Sequence, residues 1–257
     1  MKWYDRIHSL LNHAGWQIRR YRPHDPAAEV PDLLPEEREI IRRVSPFTYT
    51  GPARLASVLN AVAHCVEQAI PGDIVECGVW RGGSMMAAAL QLLRLQDDSR
   101  SLWLYDTYTG MTAPTDKDLD LAGRSASTLL GDPLHSEAVA CVAGLDDVRQ
   151  NLHSTGYPGE QTHYIVGPVE KTIPARLPQS IALLRLDTDW YESTRHELEH
   201  LYPLLSPGGI LILDDYGHWQ GARRAADEFF FSLPAAPYLH RIDYTARCLV
   251  KPASNSN

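Results

Sequence analysis

Cysteine is scarce in this chain and never occurs in a ligand-like pair. Cys65, Cys77, Cys141 and Cys248 are scattered over 257 residues without a CxxC, which excludes a zinc ribbon and a disulfide framework and fits reduced thiols in a cytoplasmic protein. An uninterrupted apolar run of spanning length is also missing. The N-terminus, MKWYDRIHSLLNHAGWQIRRYRP, has no signal-peptide core, so export and membrane insertion are not expected. Positive charge is in deficit: 24 Lys and Arg against 32 Asp and Glu give a net charge of -8, leaving no basic face for a phosphate backbone and arguing against nucleic acid as a partner. No internal repeat or low-complexity segment is present, apart from ASNSN over 253–257, expected as a frayed tail.

What is present is enough apolar residue, 44% of the chain, for one sizeable core. The expected organisation is an N-terminal helical extension over residues 1–50 and one domain over 51–252. In the extension, Trp3, Ile7, Leu10 and Leu11 beside Arg6, Arg19, Arg20 and Arg22 form an amphipathic pattern. Such a helix is expected to pack on its own domain or on a second subunit sooner than on a membrane, and an arm of this length favours a homodimer. Residues 21–50, rich in proline and charge, read as an arm or lid with a short helix at Pro35–Val44.

From Arg54 onward, Leu55, Val58, Leu59, Val62 and Val66 recur at helical spacing up to Pro71-Gly72. Strand and helix then alternate: IVEC at 74–77, a helix from Ser84, LWLYD at 102–106, a helix over 136–154, HYIVG at 163–167, ALLRLD at 182–187, a helix from Glu192, GILILDD at 209–215, and a helix from Gly221 to Phe231. HRIDYTARCLVKP closes the chain as a hairpin. This alternation predicts an α/β, Rossmann-like, doubly wound and mostly parallel sheet with a C-terminal antiparallel hairpin. The long polar stretch after Asp106, containing GMTAPTDKDLDLAG, is read as a lid, because structureless connections of that length inside a domain are usually functional.

Two apolar runs end on acids: LLRLDTDWYEST with Asp187 and Asp189, and GILILDDYGHW with Asp214 and Asp215. In an open α/β sheet the carboxyl ends of the strands form the rim where ligands bind. Four carboxylates gathered there repel one another unless shared protons or a hard divalent cation such as Mg²⁺ neutralise them. For any one of them, capping of the following helix is the alternative.

At the first strand-to-helix junction, IVECGVWRGGS places Glu76, Gly78, Gly82, Gly83 and Ser84 where backbone approaches a ligand closely and helix N–H groups meet an anion. It has neither the Gly-Lys-Ser/Thr ending of a P-loop nor a full GxGxxG dinucleotide fingerprint. Asp106 ends the second strand where an acid accepts hydrogen bonds from ribose hydroxyls. A ribose acid without a pyrophosphate motif points to a nucleoside with an amino-acid tail, as in S-adenosylmethionine, and ranks a nicotinamide-dependent oxidoreductase last.

ECGVWRGGS, LYDTYTGM followed by PTDKDLD, LRLDTDWYEST and LILDDYGHWQGARRAADEFF resemble the macrocin O-methyltransferase family, from about Thr48 to Phe231. The resemblance implies a class I methyltransferase fold, S-adenosylmethionine as donor, a divalent metal, a mobile lid, and a hydroxyl on a sugar of a bacterial natural product as acceptor. By position it places Glu76, Gly78 and Ser84 at the methionine end, with Thr50 nearby, Asp106 at the ribose, Val169 and Glu170 at the adenine, and Asp187, Asp214 and Asp215 on the metal. Asp187 is counted with the donor site as well.

A sugar hydroxyl needs its proton removed as it attacks. Asp187, Asp189 and His218 are the candidate bases, His218 for an ordinary pKa near neutrality. Trp80 and Trp190 fall beside rim motifs and are candidates to flank a ligand, whereas YEST at 191–194 reads as capping chemistry. Two other readings stand: a catechol-type phenolic O-methyltransferase, and a nucleoside-binding protein with the fold and no chemistry.

Overall fold

The computed structural model describes residues 24–134 and 136–253. The expected amphipathic helix before residue 24 and the tail beyond Ala253 lie outside the described residues.

Helices α1 (Pro35–Val44) and α2 (Pro52–Glu67) precede the strand-helix alternation: β1 (Asp73–Cys77), α3 (Gly83–Arg94), β2 (Leu102–Asp106), α4 (Ala126–Gly131), α5 (Ser136–Ala140), α6 (Leu145–Ser154), β3 (Thr162–Val166), α7 (Val169–Thr172), β4 (Ile181–Leu186), α8 (Tyr191–Leu201), β5 (Leu205–Leu213) and α9 (Gln220–Phe231). β6 (His240–Arg241) and β7 (Arg247–Val250) form the terminal hairpin. The seven strands run in the order β3-β2-β1-β4-β5-β7-β6, parallel through β5 and antiparallel beyond it. Strand order reverses between β1 and β4, so a crevice opens at their carboxyl ends.

The pleat sorts the side chains into two layers. Ile74, Leu104, Leu183 and Ile212 pack with α1, α2 and α3, whereas Val75, Cys77, Leu184, Leu186 and Leu211 pack with α8 and α9. Continuing the first set along β1, β4 and β5 in steps of two brings Glu76, Arg185, Asp187 and Asp214 to the α2 side of the rim, with Glu76 and Arg185 as register partners.

Two expectations change in detail. The segment around α1 is no arm: Ile41 and Val44 are fully buried in the main core, and Glu37 accepts hydrogen bonds from Gln91 Nε2 (2.9 Å) and an Arg94 guanidinium N–H (2.8 Å). Its apolar face docks on α3, and residue composition had masked that face. The helix expected over 136–154 is two helices, because the chain turns at Cys141 (φ 46°), where the Ala140 carbonyl accepts the Met111 N–H (3.0 Å). Of the three aromatics closing α9, Phe230 is buried, Phe229 half-buried and Phe231 exposed.

The polar stretch after β2 is fastened at its middle. Asp118, fully buried, accepts the Thr115 N–H (2.7 Å) and hydroxyl (2.9 Å) and reaches across to the first N–H of α8, on Tyr191 (2.8 Å). Asp120 bridges to Trp219, and Trp190 Nε1 donates to the Thr112 carbonyl (3.0 Å). Asp118→Ala is therefore expected to leave these donors unpaired, at about 1–3 kcal/mol. Limited proteolysis should then cut the 107–125 segment at least about tenfold faster than in the wild type; an unchanged rate would show that the fastening lies elsewhere.

Candidate functional site

A cavity of about 370 Å³ occupies the crevice between β1 and β4, within the size range of small-molecule sites. Thr50, Gly78, Ser84, Asp106, Val169 and Glu170 line one end. Asp187, Asp189, Asp214, Asp215 and His218 line the other. Glu76 does not reach the wall: it is 1% exposed and lies beneath the floor, because its place on β1 precedes the strand's exit.

At the first end the β1–α3 loop wraps the Asp106 carboxylate. Oδ2 accepts the N–H groups of Val79 (2.8 Å) and Trp80 (3.2 Å), and Oδ1 accepts that of Tyr108 (2.7 Å). Burial pushes the carboxyl above its usual range against the pull of these donors. With two donors on Oδ2, it is Oδ1, which has a single backbone donor, that keeps acceptor capacity for a ligand hydroxyl. Gly78 has φ 79°, and a Cβ there would run into the Asp187 carbonyl. Trp80, at φ 46°, is held in a conformation that bulky residues avoid; its indole stacks on the Tyr49 ring at 4.0 Å on the cavity wall.

At the second end the four rim acids cap no helix. The N-cap positions of α8 and α9 are Trp190 and Trp219, neither with a side-chain cap bond, and the free N–H of α8 goes to Asp118. The YEST segment does not cap either, since Ser193 Oγ donates back to the Trp190 carbonyl (3.2 Å). Trp190 is buried edge-on to Trp219 at 5.0 Å under the fastened stretch and touches no cavity wall, whereas Trp80 does.

Two arginines intrude among the acids. Arg185, 3% exposed, donates to Glu76, to Asp187 Oδ2 (2.7 Å), to Asp214 Oδ1 (2.5 Å) and to Thr50 Oγ1 (2.9 Å). Arg54, in the first turn of α2, donates to Asp214 Oδ2. Both oxygens of Asp214 are thus engaged by guanidinium groups, while Asp215 has none: its Oδ2 is buried without a donor. Burial pushes the Asp187 and Asp215 carboxyls well above their usual range, reinforced by neighbouring carboxylates. Asp189, at φ 66°, is raised to about 7, first by burial and then by the charges of Asp187 and Asp214. Burial pulls the His218 imidazole down; its Nδ1 lies 3.4 Å from the Tyr244 hydroxyl.

Asp187, Asp214 and Asp215 each offer an oxygen within 4.8 Å of the others. Together with the donorless Asp215 Oδ2, this suits a hard cation that accepts oxygen ligands. A cavity that joins a glycine loop and an acid at the end of β2 to a carboxylate cluster at the ends of β4 and β5 is the arrangement that the sequence motifs imply. The family model described as macrocin O-methyltransferase matches residues 29–250.

The chain belongs to the macrocin O-methyltransferase family. It is 34% identical over 169 residues to the 8-demethyl-8-(2,3-dimethoxy-alpha-L-rhamnosyl)-tetracenomycin-C 4'-O-methyltransferase of Streptomyces olivaceus, covering 66% of this chain and 62% of that one. With the mycinamicin III 3''-O-methyltransferase of Micromonospora griseorubida it shares 35% identity over 162 residues, 62% of each chain. The match thus spans less than two thirds of the length of these two relatives. Among solved structures, the O-methyltransferase NovP superposes with a TM-score of 0.68 at 31% identity, over 80% of this chain and 83% of that one.

The family match begins at residue 29, well before Thr48, where the motifs begin, and so takes in α1. The residues that sequence reasoning passed over are Arg54 and Arg185. A charged residue inside the apolar run LLRLD, two positions before Asp187 and therefore on the same face, was the available signal for Arg185.

Proposed function

We propose that this macrocin O-methyltransferase family member moves the methyl group of S-adenosylmethionine onto a hydroxyl of a small, glycosylated acceptor. One observation carries the reading: the donor-type loop around Asp106 and the carboxylate cluster around Asp187 and Asp215 open into a single cavity. The relatives' printed activities, on a rhamnosyl tetracenomycin and on mycinamicin III, support a glycosylated acceptor. The donor's ribose is assigned to Asp106, its methionine end to Gly78, Ser84 and Thr50, and its adenine to the wall at Val169 and Glu170. Glu76 acts from beneath, through Arg185.

Asp187, Asp215 and a remaining lone pair of Asp214 would hold a divalent ion. Such an ion, when bound, supplies Lewis acidity toward the acceptor hydroxyl and fixes its position. Transfer forms the oxygen–carbon bond as the carbon–sulfur bond breaks, and the bonding pair leaves with sulfur as a neutral thioether. The hydroxyl proton must go to the protein. Asp189 receives it in this scheme, since Asp187 and Asp215 are committed to the ion and Asp214 is shared between the ion and the arginines; His218 and Tyr244, which line the same cavity, orient the acceptor. Holding the two reactants in line accounts for much of the acceleration.

The test is calorimetric binding of S-adenosylmethionine and S-adenosylhomocysteine, with Mg²⁺ and with EDTA. Wild type should bind both, and Asp106→Ala should bind about 100-fold more weakly, because charge-assisted hydrogen bonds to the ribose are lost and the loop at Val79 and Trp80 is freed. Absence of binding to wild type under both conditions would sink the reading.

A further inference from the structure

Asp214 is the acid whose place in the ion site is contested from within the chain. Its Oδ1 is taken by Arg185, which is immovable: buried, on a central strand, and donating to three other side chains. Its Oδ2 is taken by Arg54, whose situation differs. Arg54 lines the cavity, its side chain is 17% exposed, and it stands in the first turn of a helix, not on a strand. A second acid waits beside it. Asp243, in the turn before β7, forms an ion pair with Arg54, its Oδ2 3.2 Å from Nε, although Nε is out of hydrogen-bond alignment and donates no hydrogen bond. The guanidinium therefore bridges the two acids, hydrogen-bonded to Asp214 and ion-paired with Asp243.

We infer that Arg54 is a tethered cation that competes with the divalent ion for Asp214, yielding Oδ2 and moving onto Asp243 when the ion is bound. This rests on the ion site proposed above. In the metal-free protein the guanidinium neutralises an acid that would otherwise face Asp187 and Asp215 with only Arg185 against it. On ion binding its departure leaves a total of one positive charge exchanged for two, so the cluster is never left bare and the ion is never held irreversibly. Arg54 also stands one helical turn after Thr48–Thr50, which line the donor end, so the exchange is made by the segment that borders the donor.

The experiment titrates Mn²⁺ and Mg²⁺ by calorimetry into the metal-free full chain as wild type, Arg54→Gln, Arg54→Lys and Asp243→Asn. Thermal melting with EDTA and with Mn²⁺ is followed in parallel. Arg54→Gln should bind the ion about tenfold more tightly, which is about 1.4 kcal/mol, and gain more in melting temperature from Mn²⁺ than the wild type does. Arg54→Lys, which keeps the charge, should stay within about threefold of wild type. Asp243→Asn removes the place to which the guanidinium retreats and should bind the ion several-fold more weakly. Opposite movements in Arg54→Gln and Asp243→Asn are the signature, because general loosening of the site would weaken both. Equal or weaker ion binding in Arg54→Gln overturns the competition while leaving the ion site standing. Failure of every variant and of the wild type to bind either ion overturns the site and the competition together.

Discussion

Asp187→Asn and Asp215→Asn should each lower methyl transfer by at least about 10²–10³-fold, the usual consequence of removing one preorganised electrostatic group from a reacting centre. S-adenosylmethionine affinity should stay within a few-fold of wild type. Asparagine keeps the volume and one oxygen acceptor, so Arg185 retains a partner at position 187 and the fold is preserved. What is lost is the negative charge toward the ion, and with it the acidity of the acceptor hydroxyl. Asp215 is the sharper case, because its Oδ2 has no donor in the described structure and no guanidinium is hydrogen-bonded to it. Rates at saturating donor, measured across Mg²⁺ concentrations, separate weakened ion binding, which more Mg²⁺ restores, from a defect at saturation. A loss below tenfold in both variants would show that the carboxylate cluster does not serve the reaction.

The largest stability effect is expected from Arg185→Met. Methionine fills similar apolar volume, but Glu76, 1% exposed, would lose the guanidinium paired with it, and Asp214, 2% exposed, would lose one of its two. Breaking a buried ion pair in this one-sided way costs about 3–5 kcal/mol, which for a chain of this size corresponds to a fall in melting temperature of roughly 10 °C. Glu76 is already held at about 7, chiefly by burial with Arg185 opposing. Without Arg185 its carboxyl would rise further and carry a proton at neutral pH, so Arg185→Met combined with Glu76→Gln should recover part of the loss. A melting temperature within about 2 °C of wild type in the single variant would mean that these charges are not balanced by Arg185.

The alternation of strands and helices was readable because periodicity is local: a strand shows its two faces at every second residue and a helix its buried stripe at every third or fourth. For the same reason the acids at the ends of β4 and β5 could be placed on the rim from the sequence alone. The break at Cys141 was not readable, because the contact that accompanies it is made to Ala140 by Met111, a residue distant in the chain. Nor was the fastening of the stretch after β2. PTDKDLD reads as polar loop, and only the folded chain shows that Asp118 lies on the N-terminus of α8, 73 residues away. The core position of α1 was hidden by charged neighbours, among them Glu37, which is itself buried against Gln91 and Arg94.

By itself the sequence determined the fold class, the family and the chemical types gathered at the rim, since each follows from the identity and spacing of residues near one another in the chain. The tertiary structure decided how those charges are shared. Arg185 meets Glu76 across two strands and Thr50 across 135 residues, and Arg54 reaches Asp214 across 160. Electrostatic pairing depends on distance in space and on burial, and a linear pattern encodes neither. A count of four carboxylates therefore called for counter-charge, and the fold shows that Arg54 and Arg185 supply part of it from within the chain.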